Sequence, residues 1–272
     1  MPPLPPSAAA PRLVRRADRA GIATLTLQAP ASRNALSLAM IEELAEQFGA
    51  IGADGAVRVV VLAGDGPAFS SGHDLKELRA HRNAADRGEA FYRRVMARCA
   101  DLMQQIVALP KPVIAAVEGV ATAAGCQLVA ACDLALCGEE ARFALPGVAI
   151  GLFCSTPLVA VGRAVSRKHA MEMALTGGLY SAADAERFGL VNRVVPAGRA
   201  LAEAQTLAER IASRSPATLA IGKRAFYQQI EAPLAQAYAL AGEAMVENLA
   251  HADADEGISA FLDKREPSWQ AE

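Results

Sequence analysis

The sequence predicts an α/β domain that ends in an all-helical region. Three observations carry this reading. Short β-branched or wholly apolar runs of strand length recur between residues 13 and 195, and stretches of helical apolar spacing separate them. Beyond residue 198 only the helical period remains. At 272 residues and 53% hydrophobic content, the chain can bury one large core with a small appendage.

In chain order, residues 1–11 (MPPLPPSAAAP) are proline-rich and predict an extended or disordered tail. Residues 21–28 (GIATLTLQ) alternate and read as a strand within a strand-rich stretch at 13–28. Ser37 is a helix N-cap, followed by Leu38, Ile41, Leu44, Ala45 and Phe48 at helical spacing. Residues 58–63 (RVVVLA) form a buried strand, followed by a glycine loop and a short helix from Asp74. A long amphipathic helix over 88–109 is stopped by Pro110 and Pro112. Strands are predicted at 113–117, 133–137 and 190–195, with a small-residue helix at 123–131. Further helices are expected at 156–164, 168–175 and 181–188, the last opening with an S-x-x-D capping pattern. Helical periodicity then covers 199–213, 216–230, 236–249 and 253–264. The domain reading is therefore a tail at 1–11, an α/β core at 12–198 and a helical region at 199–272.

Composition narrows the function. A charged content of 21% with net charge −2 gives no basic footprint for a nucleic acid. No apolar run reaches the roughly 20 residues of a membrane span. Five cysteines without a C-x-x-C pair argue against a disulfide framework and for a reducing compartment. Four scattered histidines give no metal-ligand spacing. No apolar signal core precedes residue 20, so a cytoplasmic protein is expected. The arginine-rich stretch at 12–16 keeps the mitochondrial matrix as the alternative.

Residues 59–78 (VVVLAGDGPAFSSGHDLKEL) run strand, glycine loop, helix. A dinucleotide site would need a third glycine where Phe69 stands, so that reading fails. Instead AFSSGHDLKEL (68–78) resembles the A-F-[SC]-[AS]-G-x-D-[LI]-x-E pattern of the crotonase (enoyl-CoA hydratase/isomerase) superfamily. EGVATAAGCQLVAACDLAL (118–136) resembles that family's second signature, [NE]-G-x-A-x-G-G-G-x-[EQ]-L-x-x-x-C-D. Residues 120–128 and 151–157 (GLFCSTP) carry a finer likeness to one subgroup. The resemblance covers about residues 12–266.

The resemblance implies a ββα spiral with a C-terminal trimerisation region, giving a homotrimer or a dimer of trimers. It implies an acyl-CoA or enoyl-CoA thioester as partner and no cofactor, because coenzyme A is part of the substrate. The backbone N–H groups of His73 and Ala124 fall on the family's oxyanion hole. Gly72 permits close backbone approach, Asp74 caps the next helix, and Ser71 and Ala123 flank the hole. The His73 side chain either faces the acyl pocket or does not. Arg33 and Ala35, in SRNALSL (32–38), and Leu75 match segments that run past the nucleotide. Arg33 and Lys264 are either phosphate ligands or solvated charges.

The family's two catalytic glutamates fall on Gln127 and Gly147. An amide can orient water but cannot accept its proton, and glycine offers only backbone. Losing positioned acid–base groups worth about 10²–10⁴ in rate makes hydration weak. Cys154 occupies the place of a carboxylate found in other members. It is open as nucleophile, pocket wall or packing residue. An acyl-CoA enzyme using other residues, a non-catalytic acyl-CoA binder and a ligand-free oligomer are the competing functions.

Overall fold

In the computed structural model, which describes residues 12–270, apolar alternation builds two sheets. Val14–Arg19 (β1), Ile22–Leu27 (β2), Val59–Gly64 (β3), Val113–Val117 (β5), Leu134–Gly138 (β7) and Arg193–Val195 (β10) make the large sheet, in that spatial order. Ala68–Ser70 (β4), Val120–Thr122 (β6), Arg142–Ala144 (β8) and Tyr180–Ser181 (β9) make the small one. Each turn of the chain lays a long strand in the first sheet, a short strand in the second, and then helix. The helices are Leu75–His81 (α2) and Glu89–Ala108 (α3) after β4, and Ala124–Ala131 (α4) after β6. Ser155–Ala164 (α5) and Arg167–Thr176 (α6) follow β8, and Ala182–Phe188 (α7) follows β9. This is the ββα spiral, with β3, β5, β7 and β10 parallel to their neighbours. Leu38–Ala53 (α1) precedes the first turn, and Ser37 caps it by accepting from the Met40 amide at 3.2 Å.

The large sheet is buried on both faces, which is why its strands are continuously apolar. Val60, Leu62, Val113, Ala115 and Val117 face the main core, while Val59, Val61, Ile114, Ala116 and Leu136 face the other side. That second face is covered by Ala200–Ala212 (α8). Its buried stripe is alanine at every fourth position, Ala200, Ala204, Ala208 and Ala212, which lets the helix lie close on the strands. The tail expected at 1–11 lies outside the described residues.

The strand expected over 190–195 is shorter. Gly189 takes a left-handed φ of 90° as the α7 C-cap, and the Leu190 and Val191 amides turn back to the Ala185 carbonyl. Only 193–195 remain to pair with β7. Asp133, expected at a strand start, lies just before β7. Its carboxylate accepts from the Val113 amide (2.7 Å), Lys223 Nζ (2.7 Å) and the Tyr227 hydroxyl (3.0 Å). Lys223 also donates to the Ile106 and Lys111 carbonyls, both at 3.0 Å. This pins Pro216–Gln229 (α9) to the edge of the core. Leu234–Ala250 (α10) buries no residue, and with Ala252–Leu262 (α11) it leaves Leu234, Tyr238, Val246, Phe261 and Leu262 exposed. No helix of the described residues is long and apolar enough to cross a membrane.

The Lys223–Asp133 pair is buried, its side chains 7% and 15% exposed. Burial pushes the Lys223 ammonium below its ordinary value even beside that carboxylate. Removing one partner strands the other charge. Lys223→Met is therefore expected to cost about 3–5 kcal/mol in urea unfolding. Lys223→Met with Asp133→Leu should recover part of the loss, and a single-variant cost near zero would contradict the assignment.

Candidate active site

The first loop is built around a buried asparagine. Asn34 is fully buried. Its Oδ1 accepts from the Ala29 amide (2.8 Å), and its Nδ2 donates to the Asp65 (2.9 Å) and Ala68 (2.8 Å) carbonyls. Asn34 thus ties the turn after β2 to the loop between β3 and β4. From there Ser70 Oγ donates to the Asn34 carbonyl at 2.8 Å, the Ser71 amide donates to the Arg33 carbonyl, and the Leu36 amide donates to the Gly72 carbonyl. Gly72 has φ +84°, a left-handed conformation that favours glycine. Asp74 Oδ1 accepts from the Lys76 and Glu77 amides and starts α2. Glu77 in turn accepts from the Leu38 amide at 3.0 Å, joining α2 to the start of α1.

The second loop presses directly on the first. A Cβ at Gly72 would stand 2.9 Å from Ala123 Cβ and 3.1 Å from the Ala124 nitrogen; one at Gly125 would stand 2.3 Å from the Ser70 carbonyl oxygen. Thr122 Oγ1 donates to the Ser71 carbonyl at 3.1 Å, and the Ala123 amide donates to the Ala144 carbonyl at 2.9 Å. Ala123 itself is held at φ 50°, ψ −119°. A non-glycine residue there stores strain of about 1–3 kcal/mol. Ala124 is the first residue of α4, at the positive end of its dipole. Among the described residues, neither the His73 nor the Ala124 amide donates a hydrogen bond. Two adjacent, unengaged N–H groups at one loop contact are an acceptor site for a single oxygen.

Around this pair the side chains are neutral. Gln127, one turn along α4, is 4% exposed, and its Oε1 has no partner. The His73 ring makes one long contact, Nδ1 to the Leu36 carbonyl at 3.4 Å; its Nε2 is buried without a partner. Burial pushes the His73 ring below its usual value, so it is neutral at pH 7. Gly147 is buried against Cys154: a Cβ there would stand 3.0 Å from Cys154 Sγ and 3.0 Å from the Leu152 carbonyl oxygen. Burial pushes the Cys154 thiol upward, which keeps it protonated.

Of the remaining sequence-derived positions, Ala35 is buried next to the Leu36–His73 bridge, and Ser71 Oγ donates to the Ser32 carbonyl at 3.3 Å. Leu75 is 51% exposed at the start of α2. Arg33 sits at φ 55° with an exposed side chain, and its carbonyl is what Ser71 binds. Lys264 is not brought to the loops within the chain, since α11 packs on α9 and α10. The motifs did not reveal a cleft of about 910 Å³ between α3, α4, α5 and α9, which reaches Gln127. No sequence signal places α9 opposite α4, apart from the lone lysine in an apolar helix face that seeks a buried carboxylate.

The chain matches the family model described as enoyl-CoA hydratase/isomerase over residues 17–272. It is 46% identical over 259 residues to the enoyl-CoA hydratase domain-containing protein 3, mitochondrial, of Rattus norvegicus, covering 95% of this chain and 85% of that one. Among solved structures, an enoyl-CoA hydratase from Mycobacterium smegmatis superposes with a TM-score of 0.90 at 49% identity, covering 95% of this chain and 99% of that one. Human enoyl coenzyme A hydratase domain-containing protein 3 also superposes at 0.90, with 44% identity, covering 95% of this chain and 100% of that one. By sequence, by fold and by the paired loops, the chain belongs to the enoyl-CoA hydratase/isomerase (crotonase) superfamily, close to enoyl-CoA hydratase domain-containing protein 3.

Proposed function

We propose that the protein binds an acyl-CoA or enoyl-CoA thioester and polarises its carbonyl between the N–H groups of His73 and Ala124. The observation that carries this reading is the loop contact at Gly72 and Ala124, which leaves both amides unengaged. As electrons move onto the thioester oxygen, each donor gains more from the developing charge than from the ground-state carbonyl. One such donor is worth roughly 3–4 kcal/mol. A neutral His73 ring suits this task, since it leaves the amide to act without an added fixed charge. Arg33, Leu75 and Lys264 are proposed along the nucleotide, Lys264 through a neighbouring subunit of a trimer or dimer of trimers. The exposed apolar residues of α10 and α11 support that assembly. The relatives' names place those proteins in mitochondria, which favours the matrix over the cytoplasm as compartment.

Hydration needs a base for water and an acid for the α-carbon, and Gln127 and Gly147 supply neither. Cys154 and the Leu152 carbonyl crowd the place of the second carboxylate. This favours a second reading, a protein that holds acyl-CoA without turning it over.

Three measurements bear on these readings. Short, medium and aromatic acyl-CoAs should raise the melting temperature by mass action; a panel with no shift and no calorimetric heat would sink the binding reading. Crotonyl-CoA hydration should be very slow, and Gln127→Glu should raise it. Adding Gly147→Glu forces the loop at 152–154 to give by a few tenths of an ångström, at an expected cost of about 1–3 kcal/mol. Wild-type turnover near 1–10³ per second, roughly the usual enzyme range, would show that other groups carry the protons.

His73 gives a pH test. Its folded pKa lies below the unfolded value of about 6.5. The stability linked to its neutral burial is therefore complete above about pH 6.5 and is lost as pH falls towards the folded value. Between pH 7 and 5, stability should fall more steeply in wild type than in His73→Gln. Because the backbone amide is unchanged, the variant should still bind thioester. Equal slopes would mean that the ring is not desolvated.

A further inference from the structure

The cleft between α3, α4, α5 and α9 has a volume of about 910 Å³, near the upper end of small-molecule sites, roughly 300–1,000 Å³. Its walls are mostly apolar: Met103 and Val107 of α3, Ala130 of α4, Val159 and Ala160 of α5, and Phe226 of α9. Its charged groups are already engaged with each other. Tyr227 donates to Asp133 at 3.0 Å, and Arg163 donates to Glu231 at 2.6 Å. Gln127 is different. It lines the cleft, is 4% exposed, and its Oε1 has no partner. Its own amide donates to the Ala123 carbonyl at 3.0 Å, beside Ala124. The cleft therefore starts within one helical turn of the unengaged amides.

We propose that this cleft receives the acyl chain of the bound thioester, and that the ligands are medium- or long-chain acyl-CoAs. The inference rests on the acyl-CoA reading above and specifies its substrate class. Continuity with Ala124 through Gln127 favours the acyl chain over a separate ligand, as do walls whose charges are mutually paired. Alanines at 130 and 160 keep the inner walls thin. Val159 is 56% exposed, and Gln104, also exposed, lines the cleft from α3. The open rim lets the end of a long chain reach solvent.

Calorimetric titration of the intact protein with butyryl-, octanoyl- and dodecanoyl-CoA tests this, alongside Val159→Trp and Gln104→Trp. Both variants sit at exposed rim positions where a larger side chain leaves the fold alone. A fully buried methylene is worth up to about fourfold in affinity. Wild type should thus bind dodecanoyl-CoA at least about tenfold more tightly than butyryl-CoA. Each tryptophan should erase most of that gain while leaving butyryl-CoA binding unchanged. If butyryl-CoA binds and chain length has no effect, the cleft inference fails while the acyl-CoA reading stands. A length dependence untouched by both tryptophans places the chain elsewhere and also overturns it. Absence of binding by every thioester overturns the acyl-CoA reading itself.

Discussion

Everything proposed for this protein depends on how closely two loops press together. The chain at Gly72 lies so near Ala123 and Ala124 that no side chain fits at position 72. That closeness is enforced from both sides. Asn34, fully buried, holds the first loop through three hydrogen bonds. The second is held by the Ala123 amide on the Ala144 carbonyl and by Thr122 on Ser71. The sheets supply the leverage, because β4, β6 and β8 are adjacent in one sheet and present consecutive turns of the spiral at one edge. The left-handed strain at Ala123 is tolerated because these bonds over-determine the backbone.

The same contact separates binding from proton transfer. Backbone amides do not depend on which side chains surround them, so replacing glutamates by Gln127 and Gly147 leaves the donor pair intact. What changes is the supply of protons. Gln127 offers an amide with an unengaged oxygen, and the space next to Gly147 is occupied by Cys154, whose thiol burial keeps protonated. A site that can hold charge on an oxygen but has no positioned carboxylate is suited to binding, or to chemistry that draws its protons from elsewhere.

The long elements were legible in the sequence, and the tertiary details were not. The helix starts at Ser37, Asp74 and Ser181 follow from local capping chemistry, and each cap makes its bond. The buried strands β3 and β5 were visible because both faces of the large sheet are covered, so their apolar runs are unbroken. Strands β4, β6, β8 and β9 are two or three residues long; they have no room for a period and exist through pairing across turns of the spiral. Val191 was read into the last strand because its apolar character suits strand and core equally, while the Gly189 cap decides for the core. The two loops were legible as motifs. The filling of the Gly147 space by Cys154, and a cleft shared by four helices distant in sequence, depend on packing that no local pattern encodes.

The central claim is that a thioester oxygen accepts from both amides at once. Isotope-edited infrared spectroscopy of butyryl-CoA labelled with ¹³C at the thioester carbonyl reads this directly. On binding, the carbonyl stretch should move to lower frequency than in free solution, as two aligned donors weaken the C=O bond. A bound thioester whose carbonyl frequency stays at its free value would contradict the account.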